Sequence, residues 1–254
     1  MQSSQDTFTA DHYAPRAQDY VSSPDHSRGD DLDQVEVALQ GGGIGRVLDL
    51  GCGGGHVSYR AAPHVDEVVA CDLTQSMLDA VARTAAERGL SNISVHRAAA
   101  EHLPFADGSF DAVLCRFTTH HWQDMEAGLR EARRVLKPGS LAIFMDSVAP
   151  ADPVLDTHLQ AVELLRDASH ARNYTIAEWL AALSRARFGI ESVTARKLRM
   201  TFATWIARTR TPADHAAAIR SLQAGAPAPV RRHFAIAEDG GFDLDTATLV
   251  VRAG

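Results

Sequence analysis

Residues 47–58 read VLDLGCGGGHVS, and this stretch decides the fold. A short apolar run leads directly into a segment with four glycines, at positions 51, 53, 54 and 55. Glycine lets a backbone turn tightly and approach a ligand closely, and the first turn of a following helix presents free N–H groups. In an open α/β sheet such a turn lies at the carboxyl end of its strand, where ligands bind. The stretch therefore predicts a strand, a ligand-binding loop and a helix, in that order.

Apolar runs of strand length recur along the chain and alternate with helical patterns. They are short and rich in Val, Leu, Ile or Phe, which is typical of buried parallel strands. The predicted strands span residues 46–50, 67–72, 93–97, 110–116 and 141–147. Strand, helix and strand, repeated four times, predict right-handed crossovers onto one parallel sheet. The predicted fold class is therefore α/β, with a doubly wound sheet.

Two of the connecting helices carry recognisable end signals. Thr74 is a candidate N-cap for residues 75–88, and Gly89 is a candidate stop. Asp124 is a candidate N-cap for the helix that precedes a turn at residues 137–139.

The pattern changes after residue 147. The predicted order is two helices within residues 152–187 separated by a polar stretch, a strand at 189–201, a helix from Pro212 to about Gln223, a loop at 224–229 and a strand at 242–254. The alternation of apolar and polar residues in the last segment predicts an antiparallel strand added at the edge of the sheet.

Composition narrows the class of protein. The 254 residues are 45% hydrophobic, so a full hydrophobic core is expected. The formal net charge is −7, which argues against the clustered positive charge that binding to nucleic acid requires. The N-terminus lacks the basic and apolar regions of a secretory signal, and no apolar run is long enough for a membrane span, which together predict a cytoplasmic location. The three cysteines form no C-x-x-C pair, so neither a disulfide framework nor a metal site is expected.

Two carboxylates accompany the glycines. Asp72 ends the second predicted strand, 21 residues after Gly51, where a carboxylate can accept hydrogen bonds from both hydroxyls of a ribose. Asp49 lies inside the end of the first strand, where it suits a cation better than a pyrophosphate. The Gly51-x-Gly53-x-Gly55 spacing also departs from the G-x-G-x-x-G pattern of dinucleotide-binding proteins. The residues thus favour a ligand with a ribose and an amino-acid group.

Four separated motifs in this order resemble the class I S-adenosylmethionine-dependent methyltransferases, in particular the small-molecule group that includes the menaquinone and ubiquinone biosynthesis enzymes. The motifs are VLDLGCGGG, CDLTQSML, AAAEHLPFADGSFDAVLCRF and EARRVLKPGSLAIFMDS. The resemblance covers residues 44–147 strongly and the remainder weakly. It implies a Rossmann-like sheet of seven strands whose last strand is antiparallel and inserted beside the sixth.

The resemblance also implies a set of cofactor-binding residues. Gly51, Cys52 and Gly53 would line the methionine moiety, with Asp49 near its amine, and Asp72 would hold the ribose. The adenine would lie against Leu73 and Met77, with Ala100 and Glu101 along its edge. Relatives often carry Asp where this chain has Ala99, so backbone groups or Glu101 would have to bind the adenine amine. Gly55 and Arg116 complete the candidate set.

The candidate catalytic residues are His120 and His121, which follow the fourth predicted strand. The sulfonium methyl is already activated, so the protein mainly aligns an acceptor and, where needed, removes a proton. An imidazole titrates near neutrality and suits that second task. Solvated loop histidines are the alternative interpretation.

The resemblance divides the chain into four segments. They are an N-terminal helical cap at 1–40, an S-adenosylmethionine-binding core at 41–147, a helical insertion at 148–188 that is expected to form the substrate wall, and C-terminal strands and helices at 189–254 that complete the sheet. The cap is expected to close over the cofactor, with Tyr13, Tyr20 and His26 as its notable residues. Asn173 and Tyr174 are candidates to face the substrate, and oxidation or alkylation of Cys52 is expected to impair cofactor binding.

The predicted function is methyl transfer from S-adenosylmethionine to a small-molecule acceptor. Two alternatives remain open at this point. One is a non-catalytic protein that binds or senses S-adenosylmethionine, and the other is an NAD-dependent oxidoreductase on the same scaffold.

Overall fold

The computed structural model describes residues 4–17 and 29–254, and its main feature is one mixed sheet. The strands are β1 (Arg46–Leu50), β2 (Glu67–Asp72), β3 (Ile93–Arg97), β4 (Phe110–Arg116), β5 (Leu136–Ala149), β6 (Tyr174–Thr175), β7 (Phe188–Met200) and β8 (Phe242–Ala253). Their order across the sheet is β3-β2-β1-β4-β5-β8-β7, and the two-residue β6 pairs with the end of β5. The predicted doubly wound α/β sheet is confirmed.

The helices lie on both faces of this sheet and beyond its C-terminal strands. They are α1 (Ser4–Tyr13), α2 (Asp30–Leu39), α3 (His56–Ala61), α4 (Gln75–Glu87), α5 (Met125–Val135), α6 (Pro153–Arg166), α7 (Ile176–Arg185), α8 (Phe202–Arg208), α9 (Ala213–Gly225) and α10 (Ala228–His233). None of the helices in the described ranges is both long and apolar enough to cross a membrane.

The central strands are buried on both faces because alternate residues contribute to two different cores. Val47 of β1 packs with α2 and α3, whereas its neighbour Leu48 packs with α5 and α7 on the opposite face. This explains why β1 reads as a nearly continuous apolar run.

The two predicted N-caps have different outcomes. Asp124 caps α5, since its carboxylate accepts a hydrogen bond from the Ala127 N–H at 2.9 Å. Thr74 occupies the N-cap position of α4, but its side chain makes no capping bond. The Thr74 N–H itself donates to the carboxylate of Asp72 at 2.8 Å, so the predicted N-cap position is confirmed but the side-chain bond is absent.

Three further predictions need correction. Residues 98–109 connect β3 to β4 without a helix, so that crossover is a loop. Strand β5 begins at Leu136 rather than at residue 141, and the predicted turn becomes an irregularity in its pairing with β4. The short helices α8 and α10 were not predicted, because their patterns are too brief to give a periodic signal.

The last strand lies inside the sheet and not at its edge. β8 pairs antiparallel with both β5 and β7, which confirms the insertion implied by the resemblance and corrects the edge position inferred from the alternating pattern. The edge strand is β7, whose exposed basic side chains protect its free backbone groups from further pairing.

Four helices form a smaller core over the carboxyl ends of β5 and β7 and the amino end of β8. Helices α6, α8, α9 and α10, here called the C-terminal bundle, pack around Trp205, Ile219 and Phe234. The bundle joins the sheet through Ala149 of β5 and Leu244 of β8. It therefore rises directly beside the edge of the sheet where the glycine loop lies.

Candidate active site

A cavity of about 250 Å³ opens along the carboxyl ends of β1, β2, β4 and β5. One end, here called the glycine-loop end, is lined by residues 49–54, 72–74 and 98–101. The other, here called the bundle end, is lined by Glu163, Arg166, Leu198, Arg199, Met200, Trp205, Arg208 and Leu244. The site thus joins the parallel sheet to the C-terminal bundle.

Gly51 allows the loop to pass close to the next strand. Its φ of +72° favours glycine, and a Cβ at this position would collide with the side chain of Thr118. The Gly51 and Cys52 N–H groups both donate to the Cys71 carbonyl, at 2.8 and 2.9 Å. The loop is therefore held in one path by hydrogen bonds and by contact with the turn after β4.

Asp72 lies beside this loop because Leu50 of β1 pairs with Cys71 of β2. One carboxylate oxygen accepts from the Gly53 N–H at 2.9 Å and the other from the Thr74 N–H at 2.8 Å. Burial raises the pKa of Asp72 above its ordinary value, and the hydrogen bonds from Thr74 and Gly53 oppose that rise. The carboxylate is thus fixed in orientation at the cavity wall.

Asp49 is the more deeply buried carboxylate of the pair. Its Oδ2 accepts from the backbone N–H of Ser58 at 2.9 Å and from the Ser58 hydroxyl at 2.6 Å. Its Oδ1 has no hydrogen-bond partner among the described residues. Burial raises the pKa of Asp49 from 3.8 to about 7, against the hydrogen bonds from Ser58. A cation next to Oδ1 would restore the charged form.

Most of the predicted cofactor residues meet at this cavity. The ones that line it are Asp49, Gly51, Cys52, Gly53, Asp72, Leu73, Met77, Ala100, Glu101 and Arg116. Gly55 does not line it; a Cβ there would meet the Tyr59 ring and Val81 at 2.8 to 2.9 Å, so this glycine serves helix packing.

Two of these residues have structural partners of their own. Glu101 accepts hydrogen bonds from the backbone N–H groups of Gln123 and Asp124, which anchors the loop that leads into α5. The guanidinium of Arg116 pairs with Asp31 of α2, with 2.5 Å between Nε and Oδ2. Both side chains therefore join separate segments of the chain at the cavity wall.

Helix α1 covers the glycine-loop end. Asp6, Thr9 and Tyr13 of α1 line the cavity, and Tyr13 packs against Met77 of α4. The Asp6 carboxylate accepts from the Gln123 amide at 2.6 Å. Tyr20 and His26, also named in the predicted cap, lie outside the described residues.

The two candidate histidines lie on the 3₁₀ turn Thr119–His121 but have different surroundings. The Nδ1 of His120 lies 2.6 Å from Oδ1 of Asp146, a buried residue of β5. Burial on its own would lower the pKa of His120, but the charge and hydrogen bond of Asp146 outweigh it, and the pKa is raised. No described residue bonds its Nε2, and His120 lines the cavity.

In His121, both ring nitrogens have partners. Nε2 lies 3.0 Å from the Tyr13 hydroxyl, and Nδ1 lies 3.2 Å from both the carbonyl oxygen and the hydroxyl of Ser169. The Tyr13 hydroxyl donates to Asp167 at 2.5 Å. Burial lowers the pKa of His121 to about 3, and the neighbouring His120 adds to this effect. This ring therefore stays neutral and joins α1 to the loop after α6.

The sequence analysis placed the substrate wall in the insertion at 148–188, which includes Glu163 and Arg166, but it named neither these residues nor those of the bundle end after residue 188. Arg166 pairs with Glu163 at 3.3 Å and places its guanidinium 5.1 Å from the centre of the Trp205 ring. Neither Asn173 nor Tyr174, the predicted substrate-facing residues, lines the cavity. Asn173 instead accepts a hydrogen bond from the Ser147 hydroxyl at 2.5 Å. Four elements from the last hundred residues supply this end, and no local motif marks them.

Comparisons with known proteins assign the chain to a family. A model of the methyltransferase domain matches residues 48–144. The uncharacterised Escherichia coli (strain K12) protein YafE is 46% identical, over 75% of this chain and 92% of that protein. The Bacillus subtilis (strain 168) methyltransferase YcgJ is 34% identical over 80% of each chain. The chain belongs to this methyltransferase family.

The solved structure of YcgJ from Bacillus subtilis supports the same conclusion for the fold. It covers 88% of the methyltransferase described here and 97% of its own chain, with a TM-score of 0.84 and 32% identity. The protein is an S-adenosylmethionine-dependent methyltransferase, as its four motifs predicted. The family membership also stands against the NAD-dependent and non-catalytic alternatives.

A further relative shares less than half of its length with this methyltransferase. The ubiquinone/menaquinone biosynthesis C-methyltransferase UbiE of Shewanella oneidensis is 36% identical over 43% of this chain and 45% of UbiE. The acceptor of UbiE therefore cannot simply be transferred to the enzyme described here.

The three cysteines of the methyltransferase are free and buried. The strand order β2-β1-β4 places Cys52, Cys71 and Cys115 near the carboxyl ends of adjacent strands, as expected. Of the three, Cys52 lines the cavity. Burial, aided by the charge of nearby Asp72, raises the pKa of its thiol well above the ordinary value, so the thiol is a weak nucleophile.

Proposed function

We propose that this enzyme transfers the methyl group of S-adenosylmethionine to a small-molecule acceptor by in-line displacement. The observation that carries the proposal is the fixed carboxylate of Asp72 beside the bare backbone of Gly51 and Gly53. A carboxylate held by two backbone N–H groups still has lone pairs for the two hydroxyls of a ribose.

Other residues of the glycine-loop end suit the rest of the cofactor. The free Oδ1 of Asp49 would accept from the ammonium group of the methionine moiety, and the ammonium would favour the ionised carboxylate. The adenine would lie between Leu73 and Met77 on one side and residues 98–101 on the other. The bound sulfonium supplies an activated methyl group, so the protein chiefly aligns the acceptor and excludes water.

His120 is the proton acceptor of this proposal, and His121 is not. The Nε2 of His120 has no bond to another described residue and the side chain lines the cavity, whereas both nitrogens of His121 are occupied. A base must reach the proton that it removes, and the hydrogen bonds of His121 prevent this.

A small acceptor, rather than nucleic acid, is supported by the shape of the site and by the net charge of the chain. Tyr13 of α1 and the C-terminal bundle enclose the cavity, and the net charge of −7 opposes binding to phosphates. The name of UbiE, a quinone-pathway enzyme, agrees with a small acceptor. We also propose that the enzyme acts in the cytoplasm.

The test is a thermal-shift and calorimetric titration with S-adenosylhomocysteine, S-adenosylmethionine and NAD. At about 100 times the dissociation constant, a ligand of the folded state adds roughly 2.7 kcal/mol of stability. We expect both adenosyl ligands to stabilise the wild-type protein and Asp72→Ala to lose most of this effect. Asp79→Ala, an exposed carboxylate on α4 bonded to Gln75, is the control and should keep it.

A shift with NAD alone, or no shift with either adenosyl ligand, would contradict the proposal. An equal shift in Asp72→Ala and in wild type would leave the cofactor class intact and remove Asp72 from the ribose site.

A further inference from the structure

The carboxyl end of β5 carries a buried carboxylate beside the candidate base. Asp146 is 1% exposed, and its Oδ1 accepts from the Ser147 N–H at 2.8 Å as well as contacting His120. The turn that holds His120 is fixed from the other side, since its carbonyl accepts from the N–H groups of Ala171 and Arg172. The histidine ring is therefore held at its backbone and at Nδ1.

This contact decides where the proton lies on the ring of neutral His120. The interaction with His120 outweighs burial and lowers the pKa of Asp146, so the carboxylate is ionised and can only accept a hydrogen bond. The Nδ1 must therefore donate, which leaves Nε2 with a lone pair. The ring is thus prepared to receive a proton rather than to give one.

Charged and titratable groups surround His120 on every packed element. Asp146 lies on β5, Glu163 and Arg166 lie on α6, and His121 and His170 have ring centres 4.2 and 5.8 Å away. Burial lowers the pKa of both neighbouring histidines to about 3, so both stay neutral near pH 7. Asp146 is thus the anion in direct hydrogen-bond contact with the ring.

An apolar wall lies beyond this ring toward the bundle end, next to the charged side chains of Glu163, Arg166, Arg199 and Arg208. Leu198, Met200 and Leu244 line the cavity together with the ring of Trp205. Such a wall favours an acceptor with an apolar body, because polar atoms placed against it would lose hydrogen bonds to water.

We propose that Asp146 is a positioning residue that keeps His120 ready to accept a proton at Nε2, and that the acceptor is an apolar molecule with an acidic hydroxyl, a phenol or an enol. The second statement rests on the proposed function. An imidazole removes protons efficiently from groups of similar acidity, and phenols, with a pKa of about 10, are far closer to it than alkyl alcohols.

The step balances without any further reactant. Nε2 takes the hydroxyl proton, the electrons left on oxygen, or on the conjugated carbon of an enol, form the bond to the methyl carbon, and the C–S electron pair stays on sulfur. The products are the methylated acceptor, S-adenosylhomocysteine and the protonated ring of His120, which then returns its proton to solvent.

The experiment uses 4-nitrophenol, because its phenol and phenolate absorb at different wavelengths. The probe is titrated with pH while bound to full-length protein saturated with S-adenosylhomocysteine. We expect its apparent pKa to fall by about one unit on binding, a tenfold change in the ionisation ratio. His120→Gln should abolish the shift, Asp146→Asn should remove most of it, and Asp146→Glu should restore part.

Controls separate positioning from general damage to the fold. The exposed His102, mutated as His102→Gln, should leave the shift unchanged, and Asp146→Asn should bind S-adenosylhomocysteine within about threefold of wild type. Should Asp146→Asn fail to fold, ¹⁵N NMR of the wild-type protein still decides, since neutral His120 must carry its proton on Nδ1.

Failure of the wild-type complex to bind the probe, or binding without a shift, would overturn the acceptor class. An undiminished shift in Asp146→Asn, or a proton on Nε2 of neutral His120, would overturn the positioning role. If the protein does not bind S-adenosylhomocysteine but still shifts the apparent pKa of 4-nitrophenol, the role of Asp146 and His120 is upheld and the proposed function is rejected.

Discussion

The two ends of the cavity are built in different ways. The glycine-loop end comes mainly from short segments directly after β1, β2 and β3, and backbone N–H groups hold its central carboxylate, Asp72. The bundle end comes from α6, β7, α8 and β8, and side chains such as Trp205 form it. A site built from backbone and adjacent strands can be read from local sequence, whereas one built from distant side chains cannot.

The difference also separates two tasks within one enzyme. The parallel pairing of β1 with β2 places Leu50 opposite Cys71. This register fixes which residues after the two strands lie side by side at the glycine-loop end. The bundle end depends on how a second core packs against the sheet. The proposed cofactor therefore meets the half that is held by strand pairing and backbone hydrogen bonds, and the proposed acceptor meets the half whose side chains set its shape.

The largest expected effect comes from Gly51→Ala. The added Cβ would collide with Thr118 and would force alanine into a left-handed backbone conformation. We expect calorimetry to detect no binding of S-adenosylhomocysteine. Gly53→Ala is the matched control, since it also has positive φ but no atom within 4 Å of the added Cβ, and it should retain measurable binding. Equal binding by both variants would contradict the close-approach argument.

Trp205→Ala tests whether the two ends are independent. The centre of this buried ring lies 4.9 Å from the centre of the Phe242 ring. Removing it from the C-terminal bundle should lower the free energy of unfolding by about 3–5 kcal/mol. The affinity of the folded protein for S-adenosylhomocysteine should change by less than about threefold. Chemical denaturation and calorimetry measure the two quantities.

The exposed Leu222 of α9 provides the control for this variant. Leu222→Ala should change stability by no more than about 0.5 kcal/mol. A large loss of S-adenosylhomocysteine affinity in Trp205→Ala would show that the ends are coupled.

Asp49 predicts a pH dependence confined to the glycine-loop end. The pKa of Asp49 is about 7 in the folded protein, above the ordinary value of 3.8. Ionisation of this carboxyl therefore lowers the free energy of unfolding progressively as the pH rises from 3.8 to about 7, and by a constant amount at higher pH. Asp49→Asn should therefore raise the melting temperature of ligand-free protein more at pH 8 than at pH 4.

Ligand binding should have the opposite dependence, because the ammonium group requires the ionised carboxylate. Wild-type affinity for S-adenosylhomocysteine should fall about tenfold per pH unit below pH 7, and Asp49→Asn should bind weakly with a flat profile. A flat wild-type profile would remove Asp49 from the ammonium site.

The smallest effect concerns cysteine reactivity. Because the pKa of the Cys52 thiol is raised, this thiol should react slowly with iodoacetamide. S-adenosylhomocysteine should slow the reaction further, in proportion to the fraction of protein that has the ligand bound. Mass spectrometry can follow Cys71 and Cys115 as internal controls in the same sample. Equal labelling of Cys52 with and without the ligand would refute the expectation that its modification impairs cofactor binding.

Sequence patterns predicted the elements with strong local signals and failed where tertiary contacts dominate. The five parallel strands were found because their segments are short and rich in Val, Leu, Ile or Phe, and Asp124 was found because its cap is a bond three residues away. Thr74 has the predicted N-cap position but makes no side-chain capping bond, and its own N–H donates to Asp72. The alternating pattern did not predict that β8 lies inside the sheet, because its two neighbours, β5 and β7, are distant from it in sequence.

The candidate site divides along the same line. Asp72 and Gly51 were predicted because strand ends in a parallel sheet meet at one edge. His120 and His121 were equivalent in sequence, and the structure distinguishes them by their partners Asp146 and Tyr13, which lie 26 and 108 residues away.

The sequence alone determined the class of fold, the family and the glycine-loop end, since these depend on periodicity and on short motifs whose atoms lie near one another along the chain. The tertiary structure alone decided which histidine keeps a ring nitrogen without a partner among the described residues, which buried carboxylate contacts that ring and what lines the bundle end. Those properties depend on contacts between segments separated by tens of residues, and such contacts leave no periodic trace in the chain.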